Sequence, residues 1–314
     1  MKKTTKLLLG AAAASAAYIG IGEYMYRNFL TAAAARNGAS VAPQNGEAPK
    51  KVESDLFVQA EEWYIDVPKQ HWEAPSKRGG ETLHAEIILN KKESHVYVIC
   101  LHGYKSEPSS NAPQAKFFYE QGYNVVLPSL CGHGRSETPY VSMGWHDRID
   151  VCRWIEEITE YDDEAKIVLY GVSMGAATVM MTTGEELPAN VVCAIEDCGY
   201  TSVEEQFKYA IKNVIKLPAF PFINAGDFVT RMHAGYSFKE ASSVEQLKKS
   251  KTPTLFIHGS ADDFVPFSMM YDCFDAAHCE REMKVFEGSG HANSMYDYPE
   301  EYFETVNNFI KKYI

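Results

Sequence analysis

The chain has 314 residues, a net charge of −12, and 46% hydrophobic, 12% aromatic and 23% charged residues. It is long enough to bury the core of one large α/β domain, and its ordinary composition excludes a disordered, fibrous or many-span membrane protein. An acidic surface repels phosphate backbones, so no nucleic acid is expected among its partners.

At the N-terminus, Lys2, Lys3 and Lys6 precede an apolar stretch of sixteen residues, Leu7 to Gly22. A charged start followed by an apolar run is the layout of an export signal. Sixteen residues fall short of the roughly 20 that cross a bilayer, but Tyr24, Met25, Tyr26 and Phe29 prolong the apolar character. A small-residue cleavage site is available at Ala32 to Ala35. Residues 1–36 are therefore expected to form a signal or anchor segment, with an uncleaved transmembrane anchor preferred. A soluble amphipathic helix is the alternative. The expected location is the cell membrane with the domain outside the cytoplasm, or secretion, and membrane contact is expected through this segment only.

Residues 37–51 are rich in Gly, Pro, Ala and Asn without an apolar period, and read as a linker. The remainder, 52–314, reads as one globular domain. Short apolar runs at Leu83–Leu89, His95–Leu101, Tyr123–Pro128, Lys166–Tyr170, Val191–Glu196, Thr254–His258 and Met283–Phe286 predict strands. Helices are predicted between them at Ala112–Gln121, Trp145–Tyr161, Met174–Thr182, Phe267–Cys279 and Glu300–Lys312. Such alternation implies an α/β fold with a mostly parallel sheet flanked by helices. About 198–252 the rhythm breaks into a helical, aromatic-rich stretch too long for an ordinary connection, and a cap over one end of the sheet is expected. The seven cysteines form no CxxC pair, and Cys100 and Cys193 fall in apolar runs as small core residues do.

Three segments carry chemistry. In KIVLYGVSMGAA, residues 166–177, a buried strand runs through Gly171-Val172-Ser173-Met174-Gly175 into a helix. A serine on that turn stands above the sheet edge as a nucleophile, and the following N–H, of Met174, points at a developing oxyanion. In TLFIHGSADDFVP, residues 254–266, a second strand ends on Asp262 and Asp263. One carboxylate there suits the orientation of a histidine ring, and the other suits helix capping. In KVFEGSGHANS, residues 284–294, His291 lies in a glycine loop, off any apolar face, as a general base would. The order Ser173, Asp262, His291, with spacings of 89 and 29 residues, leaves room for the intervening strands and the cap. A fourth segment, VICLHGYKSE, places His102-Gly103-Tyr104 after another strand, which makes the Tyr104 N–H the second oxyanion donor. His102 is expected to brace that loop, and Gly132-His133-Gly134 to form a tight loop of its own.

With these residues in view, the chain resembles the α/β-hydrolase superfamily over nearly all of residues 80–314. The elbow falls on Gly171 to Gly175, the HG oxyanion loop on His102-Gly103, the HGxxDxxVP turn on His258 to Pro266 and the late G-H pair on Gly290-His291. This resemblance assigns the acid to Asp262 rather than Asp263, with Asp197 as the alternative that some members use. It is nearest to bacterial membrane-anchored or exported serine esterases and peptidase-like hydrolases. It implies an α/β-hydrolase fold and cleavage of a carboxylic ester through an acyl-enzyme, with no cofactor and no metal. The aromatic cap points to a small-molecule ester with an apolar or aromatic acyl group. A peptidase or thioesterase on the same three residues, or an envelope-tethered binding protein on a hydrolase scaffold, are the alternatives.

Overall fold

A computed structural model of the protein describes residues 3–37 and 55–314. The linker expected over 37–51 lies, from residue 38 onward, outside the described residues. Along the chain, α1 (Lys3–Met25) and the short α2 (Ala32–Arg36) precede α3 (Asp55–Asp66). Strands β1 (Gln70–Pro75), β2 (Thr82–Ile88) and β3 (Val96–Leu101) follow, then α4 (Ala112–Glu120) and β4 (Asn124–Pro128). The central part alternates as α5 (Asp147–Tyr161), β5 (Lys166–Val172), α6 (Met174–Thr183) and β6 (Val191–Asp197). Three helices come next, α7 (Val203–Tyr209), α8 (Ala219–Ala234) and α9 (Ser243–Leu247). The chain closes with β7 (Thr254–Gly259), α10 (Ser268–Ala276), β8 (Arg281–Phe286), α11 (Ser294–Asp297) and α12 (Pro299–Ile310).

The eight strands form one sheet in the order β1-β2-β4-β3-β5-β6-β7-β8. From β4 to β8 every pairing is parallel, while β1–β2 and β2–β4 are antiparallel. All seven expected strands form. An eighth, β1, is not expected from the sequence, because its residues, QHWEAP, are half polar as suits an edge strand paired on one side only. Nor is α3, which packs on α4.

Successive side chains of each central strand enter opposite cores. Tyr97, Ile99 and Leu101 meet α5, α6 and the cap on one face, whereas Val98 and Cys100 meet α3, α4 and α12 on the other. Helix α12 fits this second face because Tyr302, Val306, Phe309 and Ile310 repeat at helical spacing and are buried. In the cap, Ser202 and Ser242 cap α7 and α9 by accepting the N–H groups of Glu205 and Glu245, each at 3.2 Å.

An uncleaved transmembrane anchor is the expectation for the N-terminal segment. Among the described residues no helix is long and apolar enough to cross a membrane. The later part of α1 instead packs along α8. Gly22 makes this possible: a Cβ there would stand 2.3 Å from the Ala225 carbonyl oxygen. Beyond α1, Ala32 donates its N–H to the Pro139 carbonyl at 2.9 Å, and Val141 donates to the Leu30 carbonyl at 2.8 Å. Met25, Tyr26, Leu30 and Ala35 are buried in the domain's own core. Of the residues that prolong the apolar character past Gly22, Met25, Tyr26 and Phe29 therefore meet protein, while Tyr24 is exposed.

Candidate active site

The β5–α6 junction sets the site. Its serine, Ser173, has φ +56° and ψ −115°, a conformation that costs free energy for any residue with a side chain. The junction is sterically possible because of its glycines. A Cβ on Gly171 would lie 2.3 Å from the Gly175 backbone, and one on Gly175 would lie 2.1 Å from the Leu101 carbonyl oxygen. Strand β5 and helix α6 can therefore pass close to each other and to the end of β3. Ser173 is fixed by its N–H, which donates to the Asp197 carbonyl at 2.8 Å, and by its carbonyl, which accepts from Ala177 at 3.0 Å.

From that turn the hydroxyl of Ser173 reaches Nε2 of His291 at 2.8 Å, and Nδ1 of His291 reaches Oδ2 of Asp262 at 2.7 Å. The three residues named from the sequence, 118 and 29 positions apart from His291, thus meet in one hydrogen-bonded line. Neither aspartate caps the next helix, as expected of one of them, because α10 begins only at Ser268 and has no side-chain cap; Asp262 closes the intervening turn instead. Its Oδ1 accepts the N–H groups of Phe264 and Val265, both at 2.9 Å, while Asp263 is exposed. Burial pushes the Asp262 carboxyl up, but hydrogen bonds from His258 and His291 outweigh it and hold the group at about 2. Asp197, the alternative acid, is buried and accepts the Tyr302 hydroxyl at 2.7 Å.

The loop after β3 lies against the serine: a Cβ on Gly103 would stand 3.7 Å from that of Ser173. Two histidines brace it. Nε2 of His102 accepts the Leu130 N–H at 3.2 Å and its Nδ1 donates to the Gly103 carbonyl at 2.9 Å. Burial pulls this imidazole down to about 3, so it is neutral, as that pattern requires. His133, from the Gly132-His133-Gly134 turn, accepts the Lys105 N–H on Nε2 at 3.0 Å. Tyr104 and Met174, the expected oxyanion donors, both border the same cleft as Ser173.

The model of the prolyl oligopeptidase family matches residues 109–314, more than half of the chain. The chain belongs to the prolyl oligopeptidase family. Within that family's wider fold, it is similar to the Pyrococcus furiosus esterase Pf2001, with a TM-score of 0.65 and 21% identity. That comparison covers 80% of this chain and 93% of the esterase. The α/β-hydrolase fold is thereby shown, and this prolyl oligopeptidase family member is a hydrolase. In sequence it is 25% identical to the uncharacterised protein YqkD of Bacillus subtilis over 214 residues, 68% of this chain and 70% of that one. It is also 25% identical to the thermostable monoacylglycerol lipase of a Bacillus species over 187 residues, 57% of this chain and 64% of the lipase.

The cleft of this family member spans about 850 Å³, counting the part open to solvent, and is almost wholly apolar. Cap residues Phe207, Ile211 and Phe238 form one wall, and Ser173 lies on its border. Met25, Phe29 and Leu30 line it as well, a contribution hidden in the sequence because these residues prolong an export-like apolar run. His258 was also missed as a partner of Asp262. Its place four residues before that aspartate, at the end of a buried strand, was the available signal.

Proposed function

We propose that the chain is a serine hydrolase of carboxylic esters acting through an acyl-enzyme. The observation that carries this reading is the unbroken line from the Ser173 hydroxyl through His291 to Asp262, at 2.8 and 2.7 Å, on the border of an apolar cleft. His291 Nε2 accepts the Ser173 proton as Oγ adds to the acyl carbonyl carbon. Asp262 keeps the remaining proton on Nδ1 and stabilises the imidazolium that forms. The N–H groups of Tyr104 and Met174 receive the oxyanion, each contributing on the order of 3 kcal/mol. Protonation of the leaving alkoxide by His291 releases the alcohol. Water, deprotonated by the same nitrogen, then frees the acid and restores Ser173.

The apolar lining of the cleft and the two relatives named as a lipase and an esterase support an apolar acyl group on an ester. A peptide amide on the same three residues is the second reading, favoured by the family match. The test treats the full chain with a fluorophosphonate probe, locates the label by mass spectrometry, and compares p-nitrophenyl esters with peptide p-nitroanilides. Labelling at Ser173 and ester turnover that disappears in Ser173→Ala are expected. Faster anilide than ester turnover would move the assignment to the peptidase, and a folded protein that takes no label would overturn both.

A further inference from the structure

Resting on the acyl-enzyme reading above, we propose that the N-terminal segment is a working part of the acyl-binding site and that Phe29, with Met25 and Leu30, sets the acyl length accepted. Their apolar side chains line the cleft that Ser173 borders, beside the cap helix α8 on which the segment packs. An acyl chain attached to Ser173 enters a cleft that these residues line together with the cap, so the volume their side chains leave bears on the length it can accept.

The segment is a fixed wall because both its ends and its middle are tied down. Tyr26 stacks on His233 of α8 with centroids 4.7 Å apart, and His233 Nε2 lies 2.7 Å from Glu23. Met25 abuts Gly226, where an added Cβ would meet its sulfur at 3.3 Å. On the far side, the backbone bonds Val141 to Leu30 and Ala32 to Pro139 stitch the segment to the loop before α5. In the middle, the Tyr104 hydroxyl donates to the Phe29 carbonyl at 2.7 Å. The same residue supplies the proposed oxyanion N–H, so the wall and the oxyanion loop are held in register by one side chain. Phe29 itself is only partly buried, and its size can be changed with little disturbance to the core.

The experiment uses the full chain and p-nitrophenyl esters graded from acetate to laurate. Each methylene that finds room in an apolar pocket is worth about fourfold in kcat/KM. Phe29→Ala is expected to shift the optimum to longer acyl chains, and Phe29→Trp to shorter ones. Should Phe29→Ala melt well below the wild type, the milder Phe29→Leu carries the same expectation. Profiles of folded variants that superpose on the wild type, in an enzyme whose turnover still requires Ser173, would overturn this proposal alone. Absence of Ser173-dependent turnover in the wild type would instead overturn the reading on which it rests.

Discussion

Nε2 of His258 lies 3.1 Å from Oδ2 of Asp262, the same oxygen that accepts the hydrogen bond of His291 Nδ1–H. Both partners of this second contact are buried, and His258 also donates to the Val265 carbonyl at 3.1 Å. Burial pulls the His258 imidazole down, yet the hydrogen bond and charge of Asp262 push it up further. Asp262 is therefore held in place from four sides: two backbone N–H groups on Oδ1 and two imidazoles on Oδ2. Such a carboxylate is a rigid fixture for His291.

That fixture separates Asp262 from its neighbour. In Asp262→Asn the amide cannot hold the His291 tautomer that leaves Nε2 free to accept, and kcat is expected to drop by about 10⁴-fold. Asp263→Asn, on an exposed side chain, is expected to leave kcat within about twofold, a surface change of the ordinary size. Ester turnover of the two purified variants checks this. Equal losses would show that Asp262 is not the residue orienting His291.

Much of this site was legible because its chemistry is local in the chain. Gly171, Ser173 and Gly175 announce the elbow within five residues, and the HGSADDFVP turn carries the acid in the same compact way. The three functional groups come from the ends of separate strands; their order paired Ser173 and His291 with an acid of that turn, and the resemblance to the α/β-hydrolases chose Asp262 over Asp263. Phe29 and Met25 were illegible because their role depends on a long-range fold-back. An apolar stretch reads alike whether lipid or α8 covers it, and contacts such as Gly22 against Ala225 and Tyr26 on His233 are long-range ones that the sequence does not announce. Strand β1 was hidden for another reason: an edge strand with one buried residue, Ala74, has almost no apolar pattern.

The elbow glycines make a prediction about stability. In Gly175→Ala the new methyl would fall 2.1 Å from the Leu101 carbonyl oxygen, a backbone atom that cannot swing aside. Separation of α6 from β3 is then required, with a loss of about 3 kcal/mol or more, as for overpacked cores. In Gly20→Ala, at an exposed helical position with no atom within 4 Å, the change is expected to be neutral or stabilising by up to about 1 kcal/mol. Guanidinium unfolding of the full chain checks both. A Gly175→Ala midpoint near the wild type would mean that the elbow is looser than this packing implies.

A last prediction concerns pH. Beneath the site, burial pushes the Glu196 carboxyl up to about 8, against the opposing pull of His258 and the Gly199 N–H. Burial likewise raises Asp197 to about 6, although the Tyr302 hydroxyl opposes it. Both folded values exceed the ordinary ones, 4.5 and 3.8, so the folded state holds more protons than the unfolded chain in that interval. Stability from these groups is fully present at low pH and is lost as pH rises through their folded values. His258, also raised, acts in the same sense, whereas Asp262, held at about 2, matters only in acid. The melting temperature is therefore expected to fall from about pH 5 to about pH 8. In Glu196→Gln the amide oxygen can still accept the Gly199 N–H, and no charge has to be suppressed. This variant is expected to match the wild type near pH 5 and exceed it near pH 8, retaining only the shallower slope from Asp197 and His258. Melting curves across that range decide it: parallel slopes for the two proteins would mean that Glu196 ionises freely in the fold.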